Sequence, residues 1–446
     1  MENQCIYGCA HGIIGLDFGS TYSAAAILLP SVDGYLTSEM RFVNNFPTSL
    51  HVIQADNGFE LQFDPVDSTM LSKDRLCYLK ALLMNQTHPR SGDNRMVNSI
   101  FNSWSGMDLP EEDVVVAIFL KGLFEKALAV ARGLDAWHDG LRPAITITYP
   151  ISWSPEELSM FQSAVRIAGI ADHPCHTCHV RYITEHRAVV TTMQHEHYHA
   201  LAELNGDYMI VADFGGMTDD AAVVPYPDSV PLRPPEEDEL KSLDCRMLHN
   251  SSYTGSMSAD AEFRTLLLQK WRAIAGDHEE VPSLDDANEA WERETKKTFT
   301  GLNSGYEQAS FSVGQTRVLM RVGILKQIFD HSAEAKARLI EALFQQADIL
   351  QHKVKAGNFS SLLRPSCIVL TGGLSLNFRL ESQVEKKLRQ RLETTLYFSK
   401  PSIGASHYLR CQRVTHDLHR RLAVCTGAVL WRLPHLLRRF INSQDA

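Results

Sequence analysis

The chain predicts an α/β fold of two related lobes with a cleft between them. Three observations carry that expectation: β-rich apolar runs alternate with helical patterns, one hairpin grammar occurs twice, and a third apolar strand ends in Gly-Gly before a helix. Strands that alternate with helices build layered α/β domains, because each apolar sheet face needs a cover.

The first hairpin spans Ile13–Leu28. An apolar strand ends at Asp17, the turn reads Phe18-Gly19-Ser20-Thr21, and a second apolar strand starts at Tyr22. Its second copy spans Tyr208–Val224, with Asp213-Phe214-Gly215-Gly216-Met217-Thr218 at the corresponding place. Two copies about 200 residues apart point to two related lobes. Between them, Ala144–Pro150 reads as a strand. The helix after it is signalled by Ser154 as N-cap, Pro155 at the first helical position and Glu157 closing a capping box. Leu158, Phe161, Val165 and Ala168 share its apolar face, and Gly169 can end it. Later come a long helix over Ile324–Leu350, a strand over Cys367–Leu370, and a helix with Val384, Leu388, Leu392 and Leu396 at four-residue steps. Pro225–Glu239, rich in proline and acids, reads as a surface loop.

Composition narrows the function. With 446 residues, 44% of them apolar, the chain can bury a large core and fills more than one domain. A formal net charge of -10 excludes the basic footprint of a nucleic-acid binder. The longest apolar runs, Val114–Leu120 and Leu422–Leu433, are short or interrupted against the roughly 18 residues a membrane span needs, so no membrane partner is expected. The start MENQCIYGCAHG has no basic and apolar signal pattern. Nine scattered cysteines, an odd number, fit a reduced compartment, cytoplasm or nucleus.

The hairpins suit phosphate chemistry. A triphosphate needs backbone N–H donors at close range, and glycine lets a backbone approach without a Cβ in the way. Gly19 meets that need, with hydroxyls from Ser20 and Thr21; Gly215, Gly216 and Thr218 offer the same from the other copy. Asp17 and Asp213, each at the end of an apolar strand, can hold the water shell of Mg²⁺. The third strand and its Gly372-Gly373 can lie flat against a nucleoside. These three elements, in this order, resemble the actin, hexokinase and DnaK superfamily, whose members have a two-lobed, ribonuclease H-like ATPase fold.

Further segments resemble the DnaK-type, heat-shock 70 branch, in particular its divergent animal and fungal members. They are Tyr22-Ser23 in the first hairpin, Ile145–Gly169, Tyr182–Val189 around Glu185, Tyr78–Leu83 around Lys80, Gly255–Phe263, Val318–Phe329 with Asp330, and Ala423–Leu430. The resemblance covers about residues 12–433. It implies lobe I over 1–204 with 407–446 returning to it, lobe II over 205–406, and no peptide-binding domain, so client refolding is not expected. It implies ATP/ADP and Mg²⁺ as cofactors, Asp17 and Asp213 organising Mg²⁺ through water, Lys80 and Glu185 positioning the attacking water and metal shell, and Thr218 beside the γ-phosphate. Gly19, Ser20, Thr21, Tyr22, Gly215, Gly216, Gly372 and Gly373 would bind the nucleotide. Slow hydrolysis that drives lobe closure follows, with a protein partner or co-chaperone.

Departures from the family keep a pseudo-ATPase scaffold open, and a small-molecule kinase of the same superfamily is a further alternative, with no sequence feature that identifies an acceptor site. Met217 stands where the family has a third glycine. If that position needs positive φ, Met217 is strained by about 1 kcal/mol or more, and Met217→Gly should raise hydrolysis or affinity. Asp219 adds a negative charge expected to repel the γ-phosphate, and Leu374, Ser375 and Leu376 follow Gly372-Gly373 where an arginine often stacks on adenine. Two other motifs compete. His195-Glu196-His197-Tyr198-His199 matches a zinc-protease pattern, against the ordinary reading of a polar surface helix. Cys175-His176-Thr177-Cys178-His179 matches haem-attachment and zinc patterns, against the ordinary reading of a loop.

Overall fold

In the computed structural model the described residues are 12–29, 40–55, 58–63, 75–84, 109–137, 141, 143–171, 180–196, 208–225, 248–276, 280–296, 299, 307–355, 365–373, 377–399, 411–412, 424 and 426–430. They form a mixed α/β structure with several sheets. Cys175–His179, His197–His199, Tyr226–Glu239 and Leu374–Leu376 lie outside the described residues.

The first five-stranded sheet has the order β3-β2-β1-β7-β8, with β1 Ile13–Asp17, β2 Tyr22–Leu28, β3 Arg41–Pro47, β7 Ala144–Tyr149 and β8 Val180–Thr184. The second has the order β11-β10-β9-β14-β15, with β9 Tyr208–Phe214, β10 Asp219–Pro225, β11 His249–Ser252, β14 Pro365–Thr371 and β15 Cys411–Gln412. In each, a central hairpin is antiparallel, one more antiparallel strand joins its second arm, and two parallel strands continue from its first arm. The register repeats too. The shift that carries Asp17 onto Asp213 carries the pair Ile13↔Leu28 onto Met209↔Val224, and Asp17↔Ala24 onto Asp213↔Asp220. The second sheet reaches β15, beyond the Ser406 at which the sequence reading ends lobe II.

Both sheets are covered on both faces, which is why their strands are apolar throughout rather than alternating. On the first sheet, Ile14, Leu16 and Phe18 point into one cluster and Ile13, Ala24 and Ala26 into another. The first cluster is filled by α1 Glu112–Arg132 and α2 Pro155–Ile167. Helix α2 starts as its sequence demands. The Ser154 N–H donates to Glu157 Oε2 at 2.6 Å, the Glu157 N–H donates to Ser154 Oγ at 3.2 Å, and Gly169 at φ +73° follows its end. On the second sheet, Ile210, Ala212 and Phe214 face α6 Val322–Lys355 and α7 Phe378–Ser399, while Met209 and Val211 face α3 Glu185–Glu196.

Smaller elements complete the chain. β4 Ser49–Ala55, β5 Gly58–Gln62 and β6 Arg75–Cys77 form a three-stranded sheet, and a 3₁₀ helix, Leu79–Leu83, follows it. α4 Ser256–Ala275, α5 Asp285–Ala290, a π-helical turn Trp291–Thr295 and the hairpin β12 Gln308–Val313 with β13 Thr316–Arg321 enclose a separate aromatic cluster. Among the described residues no helix is long and apolar enough to cross a membrane.

The last helical residues, 426–430, put Ala428 in the second sheet's cluster and Val429 in the first sheet's. Gly427 makes that placement possible, because a Cβ there would collide with the Ala188 carbonyl of α3. Gly427→Ala is expected to push the helices apart and cost about 1–3 kcal/mol, read as a lower denaturation midpoint at unchanged m-value.

Candidate functional site

The two hairpin turns share one geometry. A Cβ on Gly19 would collide with the Tyr22 carbonyl, and one on Gly215 would sit 2.7 Å from Thr218 O. Only glycine permits either turn. Phe18 and Phe214 are buried behind them. The start of α4 organises the second turn: the N–H groups of Gly255, Ser256 and Met257 donate to the carbonyls of Met217, Gly215 and Gly216 at 3.2, 3.0 and 2.9 Å. In trans peptides the N–H points opposite to the preceding C=O, so the N–H groups of Gly216, Met217 and Thr218 turn away from α4. Successive N–H groups of this kind form an anion-binding concavity. The hairpins also touch, since Gly216 has no Cβ where the Thr21 side chain packs.

Five ionisable groups converge beside the turns. Lys80 Nζ donates to Glu185 Oε1 at 2.6 Å, with both side chains buried, and lies 5.7 Å from the centre of the Trp153 ring. Thr148 Oγ1 donates to Asp17 Oδ1 at 3.2 Å from the neighbouring parallel strand. Loss of hydration, then repulsion from Glu185, pushes Asp17 up to about 7 against the opposing pull of Lys80 and Thr148. Burial, then Glu185, Asp17 and Asp220, raises Asp213 well above the usual carboxylate range. Burial pulls Lys80 down, but Glu185, Asp17 and Asp220 outweigh it and keep the ammonium charged.

One lysine therefore answers four acids. That imbalance fits a divalent cation, which would lower both raised aspartates. Among the described residues no three His, Cys, Asp or Glu side chains are close enough to clasp a metal directly. Asp17 and Asp213 are the residues that could hold Mg²⁺ through its own water, the mode that ion prefers.

Two sequence expectations are corrected here. Met217 is not left-handed: among the described non-glycine residues only Tyr78 has positive φ, at 61°. Met217 is 1% exposed and packs in the first sheet's core, so the turn is repacked around it rather than strained. Asp219 does not face the charge cluster either. It is fully buried, and Lys336 Nζ at 2.7 Å and Thr254 Oγ1 at 2.7 Å both donate to its Oδ2. Strand pleat explains this, since neighbours on β10 point to opposite faces. Asp220, cross-strand from Asp213, shares its face and accepts from Thr218 Oγ1 at 2.7 Å.

At the third motif, Gly372 has φ +87° and leaves no room for a Cβ against Asp213 Oδ1 and the Phe214 carbonyl. A Cβ on Gly373 would meet nothing within 4 Å among the described residues. Nearby, Asn377 Nδ2 donates to Lys296 O at 2.8 Å, and Lys296 Nζ is buried between Asp260 and Glu292.

The structure thus gathers Asp17, Lys80, Glu185 and Asp213, with Thr218 joined through Asp220. Ser20 is buried, and Thr21 and Tyr22 are half-buried along the same first turn. Sequence reasoning missed Asp220, Thr148 and the fully buried His186, which burial holds neutral beside Asp220 and Glu185. The hairpin register was the signal for Asp220. Of the zinc-protease pattern, α3 ends at Glu196, and the rest falls outside the described residues.

Two predictions follow from this packing. Asp17 binds its proton more tightly folded than unfolded, so its contribution to stability is largest below the unfolded value near 3.8 and is lost as pH rises to about 7. Without nucleotide, Asp17→Asn is expected to be more stable than wild type at pH 7.5 by about 2–4 kcal/mol and equal to it near pH 3.5, read by denaturant titration at both pH values. Met217→Gly removes a buried side chain. It should lose about 2–5 kcal/mol of stability and gain neither hydrolysis nor affinity; a faster or tighter-binding variant would show that methionine limits the site after all.

The chain matches no protein-family model and no curated protein.

Proposed function

We propose that the chain is a heat-shock-70-like member of the actin-like ATPase superfamily, a two-lobed ribonuclease H-like protein that binds Mg-ATP between its lobes and hydrolyses it slowly. The observation that carries the proposal is the duplicated sheet, with two acid-ended glycine hairpins in one register around a buried Lys80–Glu185 pair. Duplication alone is architecture. Duplication that brings Asp17 and Asp213 to one charge cluster is a site.

The residues divide the work. The N–H groups of Gly216, Met217 and Thr218 would receive phosphate oxygens, and Gly372-Gly373 would leave a flat face for the nucleoside. Bound Mg²⁺, held through water by Asp17 and Asp213, would neutralise charge developing on the transferred phosphoryl group. Lys80 holds Glu185 in one orientation, and Glu185 would orient the attacking water. Thr218 gives its hydroxyl proton to Asp220, and its backbone N–H would donate on the γ-phosphate side. Catalysis here is positioning and electrostatics. The scaffold alternative loses the motive that Met217 supplied. A protein partner or co-chaperone belongs to the same proposal.

Mg-ATP and Mg-ADP at millimolar concentration are expected to raise Tm, because a ligand of the native state stabilises by mass action. Asp213→Asn should lower phosphate release more than it weakens binding. No melting shift with either nucleotide would sink the ATPase and scaffold readings together. A shift without phosphate release would select the scaffold, and phosphate transferred to a sugar would select a kinase.

A further inference from the structure

The Lys336–Asp219 ion pair is completely enclosed, and nothing in the proposed chemistry uses it. Both side chains have no exposed surface, and their charged atoms are 2.7 Å apart. Such a pair is poorly compensated. Asp219 takes both its donors, Lys336 Nζ and Thr254 Oγ1, on Oδ2, and among the described residues Oδ1 has no hydrogen-bond partner. Burial pushes the lysine down and the aspartate up, each towards its neutral form. Apolar residues of similar volume commonly replace a buried pair without loss of stability, so stability alone does not account for this one.

Its placement does. Asp219 opens β10, next to Asp220 and directly after Thr218. Lys336 also donates to Thr254 O at 3.0 Å, one residue before the Gly255 N–H that holds the Met217 carbonyl, and its Nζ lies 5.2 Å from the centre of the Phe214 ring. One ammonium therefore grips the hairpin on both sides of its turn and the entry to α4. It does so from α6, whose Ala333, Ala337 and Ile340 pack behind the second sheet while Leu325, Ile328 and Phe329 pack in the aromatic cluster with α4.

We propose that Lys336 is a positioning residue. It pins Asp219 from the back of β10, and so holds Thr218 and Asp220 facing the phosphates and ties the hairpin to α6. The inference rests on the nucleotide reading above and adds the device that sets its second phosphate turn.

The test separates positioning from stability. Lys336→Met alone strands a buried carboxylate and should lower Tm sharply. Asp219→Leu with Lys336→Met removes both charges and should return Tm to within a few degrees of wild type. If the pair positions the turn, this double variant releases phosphate at least tenfold more slowly, and the amides of 216–220 exchange hydrogen faster. Where wild type binds without turnover, the readout is its preference for ATP over ADP, which the double variant should lose. Asp219→Asn with Lys336→Gln keeps a hydrogen bond without charge and should lie between the two; it serves if the apolar variant does not fold. Lys387→Met, which breaks a half-exposed bridge from α7 to Glu334 on α6, is the control and should leave turnover unchanged. A double variant with wild-type turnover, nucleotide preference and hairpin exchange overturns the proposal while the nucleotide reading stands. A wild-type protein with no nucleotide-dependent melting shift fails that reading instead, and the staple's role with it.

Discussion

Four carboxylates and one lysine meet where the central strands of two sheets end, and the cost of enclosing that charge governs the site. Lys80 pulls on Asp17, Glu185, Asp213 and Asp220 together, and Glu185 alone takes its direct hydrogen bond. Burial first, and then the remaining repulsion, push both aspartates up. Like charges at this range in a poorly hydrated setting repel by several kcal/mol. A fold does not keep such an arrangement for stability, because neutral residues would serve better. On the proposed reading a cation and an anion would enter together, Asp17 and Asp213 holding the cation through water and the turns receiving the anion.

The same cost explains the second turn. Asp219 and Asp220 are adjacent in sequence and alike in chemistry, yet the pleat of β10 gives them opposite fates. Asp220 joins the acids and orients Thr218; Asp219 enters the core and is met by Lys336. The strand thus carries an acid of the charge cluster on one face and an acid enclosed in the core on the other, and each position determines which lysine it meets.

Much of this was legible in the sequence, for physical reasons. Glycine turns, capping residues and apolar runs are local requirements, so both hairpins, the Ser154–Glu157 box and the three glycine motifs could be read from neighbours in the chain. Lys80 and Glu185 came from family resemblance, since 105 positions separate them and no local rule joins them. Asp220 was readable from strand pairing, because a residue opposite Asp213 must share its face. Lys336 was not. It lies in the middle of a long helix, and only the packing of α6 behind the second sheet gives it a partner. The strain at Met217 was conditional on a positive φ, suggested by a glycine in the family the sequence resembles, and here the backbone does not adopt it and the side chain is buried in the core.

That core ties the assembly of the site to its packing. Met217, from the second hairpin, and Met257, from the first turn of α4, are buried in the core that also contains Leu79 and packs Tyr78. Tyr78 holds φ 61°, a conformation that costs a bulky residue about 1–2 kcal/mol and persists only where its surroundings over-determine it. It opens the 3₁₀ helix that carries Lys80. Both methionines, Leu79 and Tyr78 thus border one core, and the 3₁₀ helix that carries Lys80 to Glu185 is packed against it. Separation of the second hairpin from the first core would withdraw Met217 from it. The charge cluster itself takes Asp17, Lys80 and Glu185 from the first half of the chain and Asp213 and Asp220 from the second, so it assembles only where the two halves meet.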